Sequence, residues 1–185
     1  MKKYVVVFTL LLSACAMSPN SHFYQLQAQK NDIAISNRSI SVGIEEVDVP
    51  QYIDRPQIVL IKKNSSELSV SEFHRWAEPL TSSVTRILAD DLSSFMPKSV
   101  VKPQSYTMEQ FNFTINVEIN KFDAELNDKV TLDAWWTIYR NGKNVARGRS
   151  TLDAPAGDTY DSIVNAQSNL INEMAKQIAQ KLSKL

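Results

Sequence analysis

The chain has 185 residues, of which 43% are hydrophobic and only four are glycine, a composition typical of a compact domain rather than of a disordered segment. Its 20 basic residues balance 20 acidic ones, so the strongly basic character of a nucleic-acid-binding protein is absent. One cysteine and two histidines provide neither a disulfide nor a Cys/His cluster with the spacing of a metal site.

The first 14 residues have the three parts of a secretory signal peptide. Two lysines form the positively charged start, residues 4–12 are uncharged and mostly apolar, and Ser13 and Ala14 are the small residues before a cleavage site. The apolar stretch has about nine residues, whereas a membrane-spanning helix needs about 20. We therefore predict that residues 1–14 are removed and do not form a transmembrane anchor.

The predicted cleavage site is followed directly by Cys15, the single cysteine of the chain. Residues 12–15, Leu-Ser-Ala-Cys, resemble the bacterial lipobox, in which the cysteine becomes the first mature residue and is acylated. We expect covalent lipid on Cys15 to anchor the protein, with no other cofactor, because two or more acyl chains hold a protein stably on a membrane. Residues 15–22 are then a lipidated tether, and residues 23–185 form a single domain.

The residue after the cysteine bears on which membrane carries the protein. Ala16 occupies the position at which an aspartate is the usual signal for retention in the inner membrane of Gram-negative bacteria. Its absence favours the outer membrane, with the domain facing the periplasm.

Short strands are predicted in the first third of the domain, from alternating or short apolar runs. They lie at 23–26, at 40–44, at 58–61 and around Leu68 and Val70. Pro50 and Pro56 bracket a turn with fixed backbone angles.

The hydrophobic period then changes to that of a helix at about 79–95. Its apolar face comprises Leu80, Val84, Ile87, Leu88, Leu92 and Phe95. Pro79 fits the first turn, and Pro97 ends the helix. The adjacent acids Glu45–Glu46 and Asp90–Asp91 point in different directions on a strand or a helix, so we interpret both pairs as solvated surface charge rather than as catalytic dyads.

Two alternating segments, 112–120 and 131–139, predict strands with one buried and one polar face. Asn141–Gly142 predicts a two-residue hairpin turn to a partner strand at 145–152. A second amphipathic helix follows at about 159–183. The fold class is therefore α+β, a two-layer sandwich of a mixed, largely antiparallel sheet with two main helices.

Trp135 and Tyr139 share the otherwise polar face of the strand at 131–139. One interpretation is that they are solvated or covered by loops. The other is that they form a contact surface for another protein, because large exposed aromatic residues often mark interfaces.

Motifs that would indicate chemistry are missing from the sequence. There is no Gly-x-Ser-x-Gly elbow, no glycine-rich phosphate loop and no His-x-x-x-His pair. Because a site assembled in space needs no sequence motif, an enzyme is not excluded, but binding or assembly becomes the leading expectation.

Three stretches resemble the ABC-type transport auxiliary lipoprotein family. They are VDVPQYIDRPQIV at 47–59, FHRWAEPL at 73–80, which we place at the start of the first helix, and FYQL at 23–26. The resemblance covers essentially the whole chain. It implies a non-enzymatic, periplasm-facing lipoprotein that acts with envelope-spanning lipid transporters built on MCE-domain proteins, and it implies homo-oligomer formation.

Within these stretches, Tyr52, Arg55 and Trp76 have two interpretations. Arg55 is expected to lock the proline-bracketed turn, and Trp76 to pack the start of the helix onto the sheet. Alternatively, the three residues contact an MCE protein or a second copy of the chain. Two other functions stay open, namely a shuttle that carries a phospholipid in its own cavity and an envelope hydrolase with an unrecognised site.

Overall fold

The structure is a computed structural model of the 185-residue chain, and it describes residues 19–31, 33–63, 65–104 and 110–185. The predicted signal peptide and Cys15 lie outside the described residues.

Eight strands and two helices make up the described chain. In order they are β1 (His22–Tyr24), β2 (Ser41–Ile44), β3 (Gln57–Ile61), β4 (Leu68–Trp76), α1 (Leu80–Phe95), β5 (Val100–Pro103), β6 (Phe113–Ala124), β7 (Lys129–Arg140), β8 (Lys143–Pro155) and α2 (Tyr160–Leu182). The α+β class and both helices are confirmed, and each helix begins and ends within one residue of the predicted range. Neither helix is long and apolar enough to cross a membrane.

The strands divide into two sheets, where the sequence predicted one. The small sheet has the order β1–β4–β3, and the large sheet has the order β5–β2–β6–β7–β8. Both are mixed, because β1 runs parallel to β4 and β2 runs parallel to β5 and β6, while the remaining pairs are antiparallel. The division depends on long-range pairing, since β1 pairs with β4 in the small sheet while β2 pairs with β5 and β6 in the large one.

The two helices pack on the inner face of the large sheet. The predicted apolar face of α1 is buried, as are Ile163, Leu170, Ile171, Met174, Ile178 and Leu182 of α2. Phe113, Ile115 and Val117 point inward from β6 and are at most 1% exposed. The N-terminus of α2 is capped by Thr159, whose hydroxyl oxygen accepts a hydrogen bond from the Ser162 amide at 3.1 Å.

The hairpin between β7 and β8 forms as predicted. Asn141 and Gly142 have φ angles of 51° and 72°, the left-handed conformations that a two-residue turn between twisted strands requires. Arg140 pairs with Lys143 across the turn. The polar alternate residues of β6 and β7 are therefore held in register on the outer face of the large sheet.

Three expectations are corrected. Of the stretch 73–80, which the sequence places at the start of the helix, residues 73–76 form the end of β4, because Trp76 pairs with Tyr24 of β1. β5 has no counterpart among the predicted strands. Asp91 is not a solvated surface charge, because it is 0% exposed and one of its carboxylate oxygens accepts a hydrogen bond from the Gln29 amide at 2.7 Å.

Candidate functional site

The outer face of the large sheet carries the two aromatic residues that the sequence singles out. Alternation along β7 places Trp135 and Tyr139 on this face and Trp136 on the inner one. Trp135 is 42% exposed, whereas Trp136 is 6% exposed and lies in the core. Trp135 therefore lies at the surface, on the side of the large sheet opposite the helices.

Trp135 is held in place by a neighbouring ion pair. The Arg149 guanidinium lies 5.3 Å from the centroid of the indole ring. It also donates two hydrogen bonds to Asp133, from Nε at 2.7 Å and from Nη2 at 2.8 Å. These bonds hold the pKa of the Asp133 carboxyl below its usual range, against the opposing effect of burial. The Trp135 ring is thus positioned by contacts within the chain.

A cleft of about 330 Å³ opens beside Trp135 on the same face. It is lined by Asn116, Glu118, Trp135, Thr137, Tyr139 and Arg147. A second cleft of about 400 Å³ shares Asn116 and Tyr139 with the first and extends toward Glu45. We call this continuous area the aromatic face. It combines two ring systems with charges of both signs, a composition suited to recognising a protein surface.

The turn between Pro50 and Pro56 is locked mainly by its own backbone. The Pro50 carbonyl accepts the amides of Ile53 at 3.0 Å and Asp54 at 3.2 Å. Tyr52 donates its hydroxyl to Asp123 of β6, which ties the turn to the large sheet. Burial, followed by this hydrogen bond, raises the pKa of the Tyr52 phenol. Tyr52 therefore has a structural contact within the chain.

A third cleft, of about 340 Å³, lies where this turn meets the start of α1. Residues 54–56 form one wall and residues 76–80 the other, so Arg55 and Trp76 line the same cleft. Trp76 is only 6% exposed, and its amide donates to the Pro56 carbonyl at 2.8 Å. Trp76 thus packs in the core while one part of it forms the cleft wall. We call this the proline cleft.

Glu78 closes one end of the proline cleft. It accepts hydrogen bonds from Arg86 and, at 3.3 Å, from Gln25. Burial disfavours its charge, but the hydrogen bonds from Arg86, Ser83 and Gln25 outweigh burial and lower the pKa of the carboxyl. The start of α1 is therefore joined to the segment that follows β1.

The five predicted contact residues fall into two groups. Trp135 and Tyr139 meet on the aromatic face, and Arg55 and Trp76 meet at the proline cleft, with Tyr52 in the same turn as Arg55. Sequence reasoning missed Arg149 and Asp133. The sequence shows that Asp133 and Trp135 lie on the same side of one strand. It does not show that Arg149 lies opposite Trp135, because that pairing depends on the register between β7 and β8.

A metal site can be assembled in space from residues that are distant in the sequence. Across residues 19–31, 33–63, 65–104 and 110–185, no three His, Cys, Asp or Glu side chains gather in a way that could hold a metal ion.

Comparison with known proteins agrees with this architecture. Residues 24–179 match the model of a family described as ABC-type transport auxiliary lipoprotein component. The chain is 25% identical, over 189 aligned positions that cover both proteins completely, to the intermembrane transport lipoprotein PqiC of Escherichia coli K12 and to that of Shigella flexneri.

Solved structures share the fold. A crystal structure of an uncharacterized protein matches with a TM-score of 0.74 at 22% identity, covering 89% of this chain and 99% of the other. Protein XCC0632 from Xanthomonas campestris matches with a TM-score of 0.70 at 13% identity, covering 89% and 95%. The family match spans most of the domain, and the chain belongs to the ABC-type transport auxiliary lipoprotein family.

Proposed function

We propose that this lipoprotein is a non-catalytic subunit of an MCE-type intermembrane lipid transport system, anchored in the outer membrane through Cys15 and docking the transporter there. The observation that carries the proposal is the match to a transport auxiliary lipoprotein family over residues 24–179. The full-length similarity to intermembrane transport lipoproteins supports transport between two membranes. The lipobox at residues 12–15 supports the anchor.

The aromatic face is the proposed contact with the transporter. Trp135 is a large, half-exposed ring whose orientation is fixed by Arg149, so little side-chain freedom is lost when a partner covers it. Tryptophan, tyrosine and arginine are the residues most enriched at the energetic centres of protein interfaces. Trp135, Tyr139 and Arg147 provide all three types around one cleft.

The proline cleft is the proposed contact with a second copy of the chain. Its walls include the apolar residues Pro56, Trp76 and Leu80, and the exposed Arg55 lies at its edge. Two surfaces on different parts of the domain allow the protein to bind its own copies and the transporter at the same time.

Co-purification tests docking directly. A C-terminally tagged protein, extracted from envelopes in mild detergent, should recover an MCE-domain protein, and Trp135→Ala should reduce that recovery. Val100→Ala is the matched control, because Val100 is 50% exposed on β5, at the opposite edge of the large sheet. If the tagged wild type never recovers an MCE protein, the docking proposal is wrong.

The anchor and the self-contact have separate tests. Cys15→Ala should lose tight association with the membrane fraction, and equal retention of this variant and the wild type would rule out the lipid anchor. Arg55→Glu should lower the molar mass measured by light scattering on the detergent-extracted protein. An unchanged mass in that variant would remove the proline cleft as the contact between copies.

A further inference from the structure

The small sheet has one face that packs on the core and one that is largely open, although Val59 of β3 on that open face is buried, at 8% exposed. His22 and Tyr24 of β1 pair with His74 and Trp76 of β4, and this side turns inward, since Trp76 is buried. Phe23 pairs with Arg75, and in a parallel pair partner residues lie on the same side. Phe23 and Arg75 therefore lie on the opposite, outer side.

The register of β3 extends this outer side across the sheet. Gln57 pairs with Arg75, Val59 with Val70 and Ile61 with Leu68. Positions 57, 59 and 61 alternate onto one face, and the irregularity between the first two pairs is taken up by extra residues in β4. The outer face thus comprises Phe23, Gln57, Val59, Ile61, Leu68, Val70 and Arg75. We call it the outer face of the small sheet.

This face exposes unusually large apolar side chains. Phe23 is 66% exposed, and Leu68 and Val70 are each 41% exposed. The other large exposed hydrophobic residues of the described chain lie on different elements, and they are Ile33, Val100, Trp135 and Val145. Exposed apolar residues grouped on one face, unlike single ones, mark a surface that something covers.

The polar residues of the face suit a boundary between lipid and water. Gln57 and Arg75 are its two polar members in register, and the exposed Glu72 lies in the irregular stretch of β4 between Val70 and Arg75. Arg75 is half-buried, with its Nε donating to the Glu72 carbonyl at 3.1 Å, so its aliphatic stem lies along the sheet. Lys62 and Lys63 follow directly after Ile61, at the end of β3, and form ion pairs with Glu67 at 2.6 Å and with Asp128 at 3.3 Å. Both lysine side chains are more than half exposed, so these weak surface pairs leave them able to contact phospholipid headgroups.

The position of the tether identifies the occupant. Phe23 is only eight positions after Cys15 in the sequence. A fully extended chain advances by at most about 3.6 Å per residue, so the anchor lies within about 30 Å of Phe23. The outer face of the small sheet is therefore the apolar surface that the chain itself leads to from the membrane.

We propose that the outer face of the small sheet rests on the surface of the bilayer in which Cys15 is anchored, with Phe23, Leu68 and Val70 at the level of the headgroups. The inference rests on the lipid anchor of the proposed function. It adds an orientation, since the lipid anchor by itself leaves the domain free to turn. With the small sheet against the lipid, the large sheet and its aromatic face are left for the transporter.

A fluorescent label tests this orientation, because acylation of Cys15 leaves the mature chain without a free thiol. Val70→Cys and Val145→Cys each introduce one thiol at almost equal exposure, 41% and 40%, on the small and the large sheet. Leu68→Cys gives a second, independent position on the small sheet. Each mature lipidated variant is labelled with an NBD fluorophore and reconstituted into phosphatidylethanolamine–phosphatidylglycerol vesicles with and without doxyl-labelled lipid.

We expect blue-shifted emission and at least a roughly twofold stronger quenching by doxyl lipid at positions 70 and 68 than at position 145, because these quenchers act only at short range within the bilayer. Equal quenching at all three positions overturns the proposal. So does protection at position 70 that grows with protein density and is not quenched by lipid, since a second copy would then cover the face.

Vesicle flotation separates this proposal from the one on which it rests. A chain that floats with the vesicles while its label at position 70 stays in water overturns the orientation and leaves the anchor intact. A chain that does not float overturns the anchor, and the orientation with it.

Discussion

Arg149 on β8 donates two hydrogen bonds, of 2.7 and 2.8 Å, to Asp133 on β7, and its guanidinium lies 5.3 Å from the ring centroid of Trp135. A planar guanidinium can form two parallel hydrogen bonds with a carboxylate and stack on an aromatic ring at the same time. The ammonium group of lysine cannot make both contacts in this geometry. The aromatic face therefore depends on arginine and not only on positive charge.

Arg149→Lys should weaken transporter recovery while the fold is retained. Interface residues of central importance contribute more than about 1 kcal/mol, so recovery at limiting transporter should fall roughly fivefold or more. Quantitative pull-down, together with circular dichroism of the purified variant, measures both effects.

Arg140→Lys is the control for the substitution itself. Arg140 also lies over an aromatic ring, 5.2 Å from the centroid of Phe113, but at the end of β7 and outside the cleft beside Trp135. Equal losses in the two variants would contradict a specific role for Arg149.

Gly148→Ala should destabilise the domain because the indole of Trp136 fills the space beside Gly148. A Cβ at that position would lie 2.1 Å from Cζ2 of Trp136, which is buried and is further fixed by a 3.1 Å hydrogen bond from Nε1 to Ser150. Overpacking of this kind costs about 1–3 kcal/mol. Urea unfolding followed by tryptophan fluorescence measures the loss.

Gly43→Ala is the matched comparison. A Cβ there would lie 2.4 Å from the ring of Phe111, which is only half-buried and can turn toward solvent. The unfolding free energy should therefore fall less than in Gly148→Ala, and a larger loss at Gly43 would show that the Trp136 site can relax.

The elements that sequence analysis predicted, which include the short strands β1 to β4, are those that a local pattern of apolar residues indicates. The two helices, the strands β6 to β8 and the Asn141–Gly142 turn each carry their own periodicity or turn chemistry. β5 was missed because four residues have no useful period, and its strand character comes from parallel pairing with β2, nearly sixty positions earlier.

The errors at Trp76 and Asp91 share that cause. Trp76 is held in a strand by Tyr24, and Asp91 is buried under the segment that contains Gln29. For the candidate site, the sequence showed that Trp135 and Tyr139 lie on the same side of a strand. It did not show Arg149 beside them, nor the apolar outer face of the small sheet, because both depend on the pairing of strands.

His74 should make the attachment of β1 sensitive to acid. Its ring stacks on Tyr160 at 3.7 Å and on His22 at 5.2 Å between centroids, and its Nδ1 lies 2.7 Å from the Tyr24 hydroxyl oxygen. Burial, followed by the charge of His22, lowers the pKa of His74, against an opposing effect of Asp161. The unfolded chain then binds the proton more readily, so stability falls as the pH drops below about 6.5.

His74→Phe keeps an aromatic ring in the stack but cannot take up a proton. The fall in unfolding free energy between pH 7.5 and 5.5 should be smaller in this variant than in the wild type, as measured by urea titration at the two values. If the two proteins lose the same stability on acidification, His74 is not responsible for it.

Asp91 should change the pH dependence of stability in the opposite direction from His74. An isosteric substitution separates the effect of its charge from that of its shape. Burial raises the pKa of this carboxyl to about 6, with the hydrogen bond from Gln29 and the neighbouring Asn172 side chain only partly compensating. Its other oxygen has no partner among the described residues. Because the folded protein binds the proton more tightly than the unfolded chain does, this residue makes the protein less stable as the pH rises from about 4 to 6, and the full cost persists above that range.

Asp91→Asn should therefore stabilise the domain at pH 7.5 by up to about 3 kcal/mol, from a shift of about two pKa units at 1.36 kcal/mol each, and should have little effect at pH 4. Urea titrations at both pH values test this. Asp90→Asn is the neighbouring control. Because the Asp90 side chain is 56% exposed and lies 3.9 Å from Arg86, this substitution should raise the unfolding free energy by less than Asp91→Asn does. A destabilised Asp91→Asn protein at pH 7.5 would mean that the carboxylate is favourable in place, through groups beyond the Gln29 amide.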